Sequence, residues 1–262
     1  MQFEDLIYDV TNGRATITIN RPEKLNAFRV QTVEELAQAF EAAADDPSVG
    51  VVLFQGAGEK AFCVGGDIGS PTTTGPEKRH LMRTHERLGV AMRHNGQPII
   101  CRVQGWCVGG GHELHMLSDL TIASESARFG MAEAEIGAAA LWWGCQYLPA
   151  LVGEKKAREM LFLGRKYSAQ EAADMGLVNT VVPLEQLEEE TVKWAREILA
   201  QSPTAIRFLK AAFIADTDGL AGLQQLAGDA TLLFYMTEEA KEGRNAFLER
   251  RKPDFSRFQR LP

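Results

Sequence analysis

Two kinds of hydrophobic spacing alternate along this chain. Short runs dominated by β-branched and other apolar residues are typical of strands. Six such runs occur, at 6–10, 14–20, 49–56, 98–105, 120–124 and 178–182. Between them, apolar residues recur at helical spacing; one series comprises Val33, Leu36, Ala37, Phe40 and Ala43. The alternation predicts an α/β fold.

Polar residues near the starts of these amphipathic stretches predict where helices begin. Thr32 and Glu35 have the spacing of a capping box, in which two side chains satisfy free backbone N–H groups of the first turn. Ser168 and Glu171 repeat that spacing. We therefore expect helices to start at both places.

The last part of the chain has a different pattern. From about residue 184 onward the spacing is almost wholly helical, and Ser202 followed by Pro203 predicts a helix start there. The pattern divides the chain into an α/β body, residues 1–200, and a C-terminal helical region, residues 201–262.

Composition narrows the class of protein. The chain has 262 residues, 45% of them hydrophobic, and a net charge of −7. A negative chain is a poor general binder of nucleic acid. No run approaches the roughly 18–20 apolar residues that a membrane helix needs, and the acidic N-terminus shows no secretory signal. These features predict a cytoplasmic protein that binds neither nucleic acid nor membrane.

The C-terminus departs from the negative average. Residues 241–262 contain more basic than acidic side chains: Lys241, Arg244, Arg250, Arg251, Lys252, Arg257 and Arg260 against Glu242, Glu249 and Asp254. The charges fit either a solvated tail or a site for a phosphorylated ligand.

The spacing of the cysteines and histidines does not indicate a metal site. The cysteines, which have no C-x-x-C spacing, are Cys63, Cys101, Cys107 and Cys145; we expect buried, reduced thiols. His112 to His115 is one residue short of H-E-x-x-H, so the two histidines are not expected to share a helical face. His115 is expected to pack or cap. The remaining histidines, His80, His85 and His94, are expected in a solvated helix, with a substrate contact as the alternative.

Two glycine-rich turns carry the most informative chemistry. Ala61–Asp67 reads AFCVGGD, and Gly105–Leu114 reads GWCVGGGHEL; each follows a predicted strand. The glycines could serve chain geometry alone. Such turns also offer free backbone N–H groups, which stabilise an oxygen that gains negative charge. No lysine follows, so neither turn fits a nucleotide phosphate loop.

Together with Arg21–Ala27, which reads RPEKLNA, the two turns resemble the crotonase (enoyl-CoA hydratase/isomerase) superfamily across essentially the whole chain. The resemblance implies a spiral of ββα units with a C-terminal helical trimerisation region. It also implies a homotrimer or homohexamer that acts on an acyl-CoA. No separate cofactor is implied, because coenzyme A belongs to the substrate.

The same resemblance assigns roles to individual residues. The backbone amides of Gly66 and Gly110 are implied to form an oxyanion hole. Residues implied to contact coenzyme A are Lys24, Asn26, Ala27, Val64, Gly65, Asp67, Ile68 and Arg250. The phosphate contact of Arg250 gives the basic C-terminus a purpose, since arginine offers several donors to one phosphate.

Two glutamates distinguish among the reactions of this superfamily. Glu113 and Glu133 stand where enoyl-CoA hydratases carry their paired glutamates. Two carboxyl groups around one water can accept a proton from it and donate one to carbon, or both can orient the water. Glu135 is a third acidic residue nearby, and we expect it to be exposed or to form a salt bridge.

A second resemblance points elsewhere. The C-terminal stretch from residue 175 onward is similar to 1,4-dihydroxy-2-naphthoyl-CoA synthases and 2-ketocyclohexanecarboxyl-CoA hydrolases, in which a tyrosine matching Tyr235 takes part in the site. That branch also uses an aspartate preceded by a serine, and this chain has Ala140 and Ala138 there.

Hydration of an enoyl-CoA, or the reverse dehydration, is therefore the first hypothesis, with Ala138–Ala140 and Trp142–Trp143 forming an apolar pocket for a bulky, cyclic or aromatic acyl group. Ring formation or hydrolytic ring opening is the main alternative, and double-bond isomerisation is another. The alternative that is not an enzyme is an acyl-CoA-binding or scaffold protein.

Overall fold

The computed structural model describes residues 2–69 and 75–259. The chain divides into two compact units, Met1–Arg207 and Phe208–Pro262. The division predicted from the sequence falls between residues 200 and 201, in the turn before helix α8.

The first unit contains a six-stranded sheet. Its strands, in spatial order, are β1 (Leu6–Thr11), β2 (Arg14–Ile19), β3 (Val51–Gly56), β5 (Ile99–Val103), β7 (Leu120–Ser124) and β10 (Thr180–Val182). Strand β1 pairs antiparallel with β2, and the other pairs are parallel. The six strands coincide with the six runs predicted from the sequence, and the α/β prediction is confirmed.

A second, four-stranded sheet was not predicted as such. Its strands, in spatial order, are β4 (Ala61–Cys63), β6 (Trp106–Val108), β8 (Arg128–Gly130) and β9 (Lys166–Ser168). Each has three residues, too few to show a period of two. Strands β4, β6 and β8 are parallel, and β9 runs antiparallel to β8.

Helices connect and cover these strands. In the first unit they are α1 (Val30–Asp45), α2 (Gly75–Arg93), α3 (Gly110–Met116), α4 (Gly144–Val152), α5 (Glu154–Leu163), α6 (Ala169–Asp174) and α7 (Leu187–Leu199). Short 3-10 helices occur at Pro22–Lys24, Glu133–Ile136 and Leu184–Gln186. The capping box of Ser168 and Glu171 is confirmed at the start of α6.

The capping box predicted for Thr32 and Glu35 is wrong. Helix α1 begins at Val30, two residues earlier, so the Thr32 hydroxyl accepts a hydrogen bond from the N–H of Arg29 at 3.1 Å. The Glu35 carboxylate instead accepts from the backbone N–H groups of Glu4 and Asp5, at 2.9 and 2.8 Å. Glu35 thereby fastens the start of the chain to α1.

The second unit is helical, as the sequence predicts. Helix α8 (Pro203–Thr217) begins in the first unit at the predicted proline and continues into the second, which also contains α9 (Leu220–Tyr235) and α10 (Glu238–Leu248). Several large apolar side chains of this unit are exposed: Leu209, Phe213, Leu220, Leu223, Leu232, Leu233, Phe234, Met236, Phe247 and Leu248.

The main core lies in the first unit, between α1, the sheets and the helices that follow them. Phe40, Phe54 and Phe62 pack edge to face through it, with ring centroids 5.2–5.4 Å apart. The burial of apolar side chains in this core therefore supplies most of the hydrophobic free energy that stabilises the fold.

The four cysteines do not all share this core. Cys63, Cys101 and Cys107 are buried free thiols, as expected, but Cys145 is exposed on α4, so the prediction is wrong for that residue. Gly144 and Leu148, four residues apart, form the buried face of α4, and Cys145 lies beside that face, exposed to solvent. Across the described residues, no helix has the length and apolar character to span a membrane. The cytoplasmic location stays a prediction.

Candidate active site

The four-stranded sheet brings the two glycine-rich turns together. Strands β4 and β6 are parallel neighbours, so the turns that follow them lie at the same edge. Gly65 (φ +92°) and Gly109 (φ +56°) adopt backbone conformations that favour glycine. A Cβ at Gly65 would lie 2.9 Å from the backbone nitrogen of Gly110. Only a glycine at position 65 therefore allows this close approach.

Phe28 fixes the first turn. Its N–H donates to the carbonyl of Gly65, and its own carbonyl accepts from the N–H of Asp67, both at 2.8 Å. Neither of these two hydrogen bonds involves the N–H of Gly66. Within residues 2–69 and 75–259, the amides of Gly66 and Gly110 donate to no acceptor. Both are available to a ligand.

One cavity of about 380 Å³ is lined by both predicted amide donors, Gly66 and Gly110, and by both glutamates, Glu113 and Glu133. Its lining consists of Phe28, Val64, Gly65, Gly66, Asp67, Ile68, Val108, Gly109, Gly110, Glu113, Ala132, Glu133, Ile136, Ala138, Ala139 and Trp142. This volume lies within the roughly 300–1,000 Å³ that is usual for small-molecule sites. The cavity combines free amide donors, two carboxyl groups and an apolar wall.

Glu113 lies in the first turn of α3 and is 3% exposed. Its Oε1 atom accepts hydrogen bonds from the backbone N–H groups of Gly144, at 2.9 Å, and Trp143, at 3.2 Å. Burial raises the pKa of the Glu113 carboxyl to about 7, the two amide donors oppose the rise, and the nearby charge of Glu133 adds to it. At neutral pH this carboxyl can therefore gain or lose a proton.

Glu133 begins the 3-10 helix that follows β8. Its two carboxylate oxygens are buried and have no hydrogen-bond partner among the described residues. A Cβ at Gly109 would lie 3.5 Å from Oε1 of Glu133, so the carboxyl group lies beside the second glycine-rich turn. Burial raises the pKa of Glu133, which favours its protonated form.

The residues that the resemblance assigned to coenzyme A occupy different positions. Val64, Gly65, Asp67 and Ile68 line the cavity. Lys24 is exposed in the 3-10 helix that precedes them, and Ala27 is buried. Contact with the coenzyme stays a prediction for each.

Asn26 holds the loop together from inside the protein. Its side chain is fully buried, and Nδ2 donates to the carbonyls of Ala57 and Ala61 at 2.9 and 2.8 Å. Its Oδ1 accepts from the N–H of Arg21. Because these partners occupy the amide, the Asn26 side chain positions the neighbouring loop; contact of Asn26 with the coenzyme stays a prediction.

Two predicted residues belong to the second unit. Tyr235 ends α9 and is 68% exposed, and Arg250 is exposed just after α10. In the basic C-terminus, Arg251 instead pairs with Glu242, at 2.6 and 2.9 Å. The roles of Tyr235 and Arg250 stay predictions, and Arg260 lies outside the described residues.

Of the residues that follow Glu133 in the chain, some line the cavity and others pack elsewhere. Glu135 is exposed and pairs with Lys166 at 2.7 Å, which confirms the predicted salt bridge. Ala138, Ala139 and Trp142 line the cavity, whereas Ala140 is buried beside Gly144. Trp143 packs against α2, where a Cβ at Gly89 would lie 2.6 Å from its ring.

Two predictions about the histidines are wrong, whereas the expected packing of His115 is confirmed. His85 is 2% exposed, so the expected solvated position is wrong; its ring is covered by Phe28 and Trp142. The rings of His112 and His115 lie 5.2 Å apart, contrary to the expectation that they would not share a helical face, because residues three apart are neighbours on a helix. Both rings are buried in the core.

The ring nitrogens of His112 and His115 and the thiol of Cys107 lie within 4.8 Å of one another. Among the described residues, no fourth His, Cys, Asp or Glu joins this group. Burial lowers the pKa of both histidines, and His115 forms a hydrogen bond with the Thr121 hydroxyl at 2.8 Å. Both imidazoles are therefore neutral at pH 7, and the expected absence of a metal here stays a prediction.

Sequence reasoning missed five cavity residues: Phe28, Val108, Gly109, Ala132 and Ile136. Phe28 directly follows the RPEKLNA segment, so its position beside a recognised motif was the available signal.

Comparison with known proteins agrees with this geometry. The family model for enoyl-CoA hydratase/isomerase matches residues 9–258. A solved enoyl-CoA hydratase from Bacillus anthracis is 32% identical, with a TM-score of 0.80 over 96% of this chain and 98% of that one. An enoyl-CoA hydratase subunit from Geobacillus kaustophilus is 35% identical, with a TM-score of 0.80 over 97% and 99%.

A structure described as an enoyl-CoA hydratase/carnitine racemase, from Magnetospirillum magneticum, is 32% identical, with a TM-score of 0.79 over 97% of this chain and 96% of that one. The chain belongs to the enoyl-CoA hydratase/isomerase family.

Proposed function

We propose that this protein adds water across the double bond of an α,β-unsaturated acyl-CoA, or catalyses the reverse dehydration. The observation that carries the proposal is the shared cavity: Gly66, Gly110, Glu113 and Glu133 all line it. Each supplies one part of the chemistry that hydration needs.

The thioester oxygen is the group to be stabilised. When water attacks the β-carbon, electrons move through the double bond and the thioester oxygen gains negative charge. Hydrogen bonds from the free amides of Gly66 and Gly110 stabilise that charge, and one such donor is typically worth about 3–4 kcal/mol in the transition state.

The glutamates handle the water and its protons. We assign the base to Glu113, because the amides of Trp143 and Gly144 stabilise its carboxylate form. Burial raises the pKa of both glutamates, so the assignment rests on these donors: the carboxylate oxygens of Glu133 have no hydrogen-bond partner among the described residues, and a protonated Glu133 can donate to the α-carbon. The hydroxide part of water thus joins the β-carbon and a proton joins the α-carbon; the proton that water gives to Glu113 restores the acid after exchange with solvent.

The alternative of ring formation or ring opening has less support. The branch that catalyses it uses a serine and an aspartate, and the corresponding Ala138 and Ala140 cannot relay a proton. Ala138 lines the cavity and Ala140 is buried beside it. The pair of glutamates favours hydration over a binding protein without turnover.

Hydration is tested with purified protein and a series of trans-2-enoyl-CoA thioesters. We expect the absorbance of the conjugated thioester to fall, and a 3-hydroxyacyl-CoA to appear. Cyclisation of succinylbenzoyl-CoA together with no reaction of any enoyl-CoA would contradict the proposal and favour the alternative.

A homotrimer or homohexamer is part of the proposal. The second unit exposes large apolar side chains, among them Phe213, at 76%, and Phe247, at 80%. Apolar surface of this kind is typical of an interface between subunits.

A further inference from the structure

The wall of the cavity contains two aromatic rings, Phe28 and Trp142. Their centroids are 6.3 Å apart, and their planes are inclined by 32°. Ala138 and Ala139, beside them in the lining, take up little space. A ligand group that reaches this wall therefore meets flat aromatic surfaces and small methyl groups.

Helix α2 holds Trp142 in place through two residues one turn apart. The indole Nε1–H donates to the sulfur of Met82 at 3.2 Å. The imidazole of His85 lies against the indole, with ring centroids 3.2 Å apart and planes inclined by 31°. One face of the indole is thus covered by His85, and the half-buried ring still borders the cavity.

His85 acts here as a neutral ring. Its Nδ1–H donates to the carbonyl of Leu81 at 2.8 Å, which leaves Nε2 without a proton. Burial lowers the pKa of His85 to about 4, so the imidazole is uncharged at neutral pH. Its edge also meets Phe28, with ring centroids 5.5 Å apart. His85 therefore joins the two rings of the wall into one aromatic cluster.

We propose that Trp142 and Phe28 select a planar aromatic acyl group, and that His85 is a positioning residue that holds the indole for this contact. The proposed substrate class is an arylacryloyl-CoA, in which the ring is conjugated with the double bond. The inference rests on the proposed function and adds the substrate class.

Stacked aromatic rings gain free energy beyond that of the buried area. A flat aryl group can lie against the indole with all of its ring atoms, whereas a puckered ring of similar size contacts the indole through fewer atoms. Shape and stacking together favour the aromatic group.

Two measurements test the proposal. The first compares kcat/KM for cinnamoyl-CoA and crotonyl-CoA. The second compares, by calorimetry, the Kd values of three unreactive thioesters: 3-phenylpropionyl-CoA, 3-cyclohexylpropionyl-CoA and butyryl-CoA. The cyclohexyl compound matches the phenyl compound in size but is not flat.

In the wild type we expect cinnamoyl-CoA to be preferred, and phenylpropionyl-CoA to bind more tightly than the cyclohexyl compound. Trp142→Leu should lower both preferences roughly tenfold, in line with the loss of one stacked pair, whereas Trp142→Phe should restore most of each. Phe162→Leu is the matched control, because Phe162 is an exposed aromatic residue on α5; it should change neither ratio.

The positioning role of His85 is tested by comparing a substitution that keeps an aromatic ring with one that removes it. His85→Phe keeps an aromatic ring behind the indole and should keep both preferences, while His85→Leu should reduce them. Equal losses in the two variants would overturn the positioning role.

The outcomes separate the two proposals. Hydration of crotonyl-CoA with no preference for the aryl thioester, or a preference that survives Trp142→Leu, overturns the substrate class alone. If no enoyl-CoA is hydrated, the proposed function fails, and the Kd comparison still decides whether the aromatic wall selects flat rings.

Discussion

Gly144 both binds and confines Glu113. Its N–H donates to Oε1 of Glu113 at 2.9 Å, and a Cβ at Gly144 would lie 3.1 Å from that same oxygen. The carboxyl group thus rests directly on a backbone that has no side chain at this point.

Gly144→Ala should therefore displace Glu113. The added methyl group would also lie 2.8 Å from atoms of Ala140 and Met131, so it has no free space to occupy. We expect kcat to fall about tenfold or more, because small misplacements of a reacting group cost large factors in rate. Gly228→Ala is the control, since a Cβ there meets no atom within 4 Å. Equal rates in the two variants would show that the position of Glu113 is not critical.

Glu113→Gln and Glu133→Gln should each lower kcat by roughly 10²–10⁴, the usual contribution of a general acid or base. The affinity for coenzyme A thioesters should change little, because both variants keep the shape of the cavity. Steady-state kinetics and calorimetry with an unreactive thioester measure the two effects. Full activity in either variant removes that glutamate from the mechanism.

The pH dependence of kcat follows from the ionisation of the same two carboxyl groups. Glu113 acts as a base only when ionised, and its pKa is raised to about 7, so kcat should rise around that pH; Glu133 must stay protonated, so kcat should fall again where that carboxyl loses its proton. The apparent pKa of this rise belongs to the interacting pair of glutamates. The rise should disappear in Glu113→Gln; its persistence there would assign it to another group.

The free energy of unfolding should also depend on pH through the ionisation of Glu113. A carboxyl with a raised pKa stabilises the fold only while it is protonated, so its contribution is complete below the unfolded pKa near 4.5 and is lost as the pH rises to about 7. Relative to the wild type, Glu113→Gln should gain roughly 1–3 kcal/mol in free energy of unfolding between pH 5 and pH 8. Denaturant titrations at both pH values measure this gain. Glu125→Gln, at an exposed position, serves as the control, and the same gain in that variant would contradict the linkage.

The oxyanion hole can be tested at Gly66 with two substitutions. A Cβ at Gly66 meets only a ring carbon of Phe28, at 3.7 Å, so Gly66→Ala should keep the fold and the N–H. Gly66→Pro removes the N–H and should lower kcat by a further factor of roughly 10²–10³. Thermal melting checks that both variants fold. Similar kcat values in two folded variants would exclude this amide as a donor.

How far the sequence alone predicts this structure depends on the length of each element. The six longer strands show enough apolar residues to be recognised, and they form one sheet. The three-residue strands β4 and β6 have no detectable period, yet their pairing is what places Gly66 and Gly110 at one edge.

The candidate site was likewise only partly predictable from the sequence. The glycines and glutamates were found through the family resemblance, because each stands in a short segment that can be recognised by itself. The amide donors to Glu113 come from residues 30 and 31 positions further along the chain, and no local pattern predicts that contact. The burial of His85 also depends on contacts with distant segments, those of Phe28 and Trp142, which is why the expectation of a solvated helix failed.

The fate of the water is the most direct test of the central claim. The purified protein is incubated with crotonyl-CoA and cinnamoyl-CoA in heavy water, and separately in water enriched in oxygen-18, and the products are examined by mass spectrometry. We predict a 3-hydroxyacyl-CoA with one deuterium on the α-carbon and the heavy oxygen on the β-carbon. Intact enoyl-CoA, an isomer without the heavy oxygen, or free acid from thioester cleavage would contradict it.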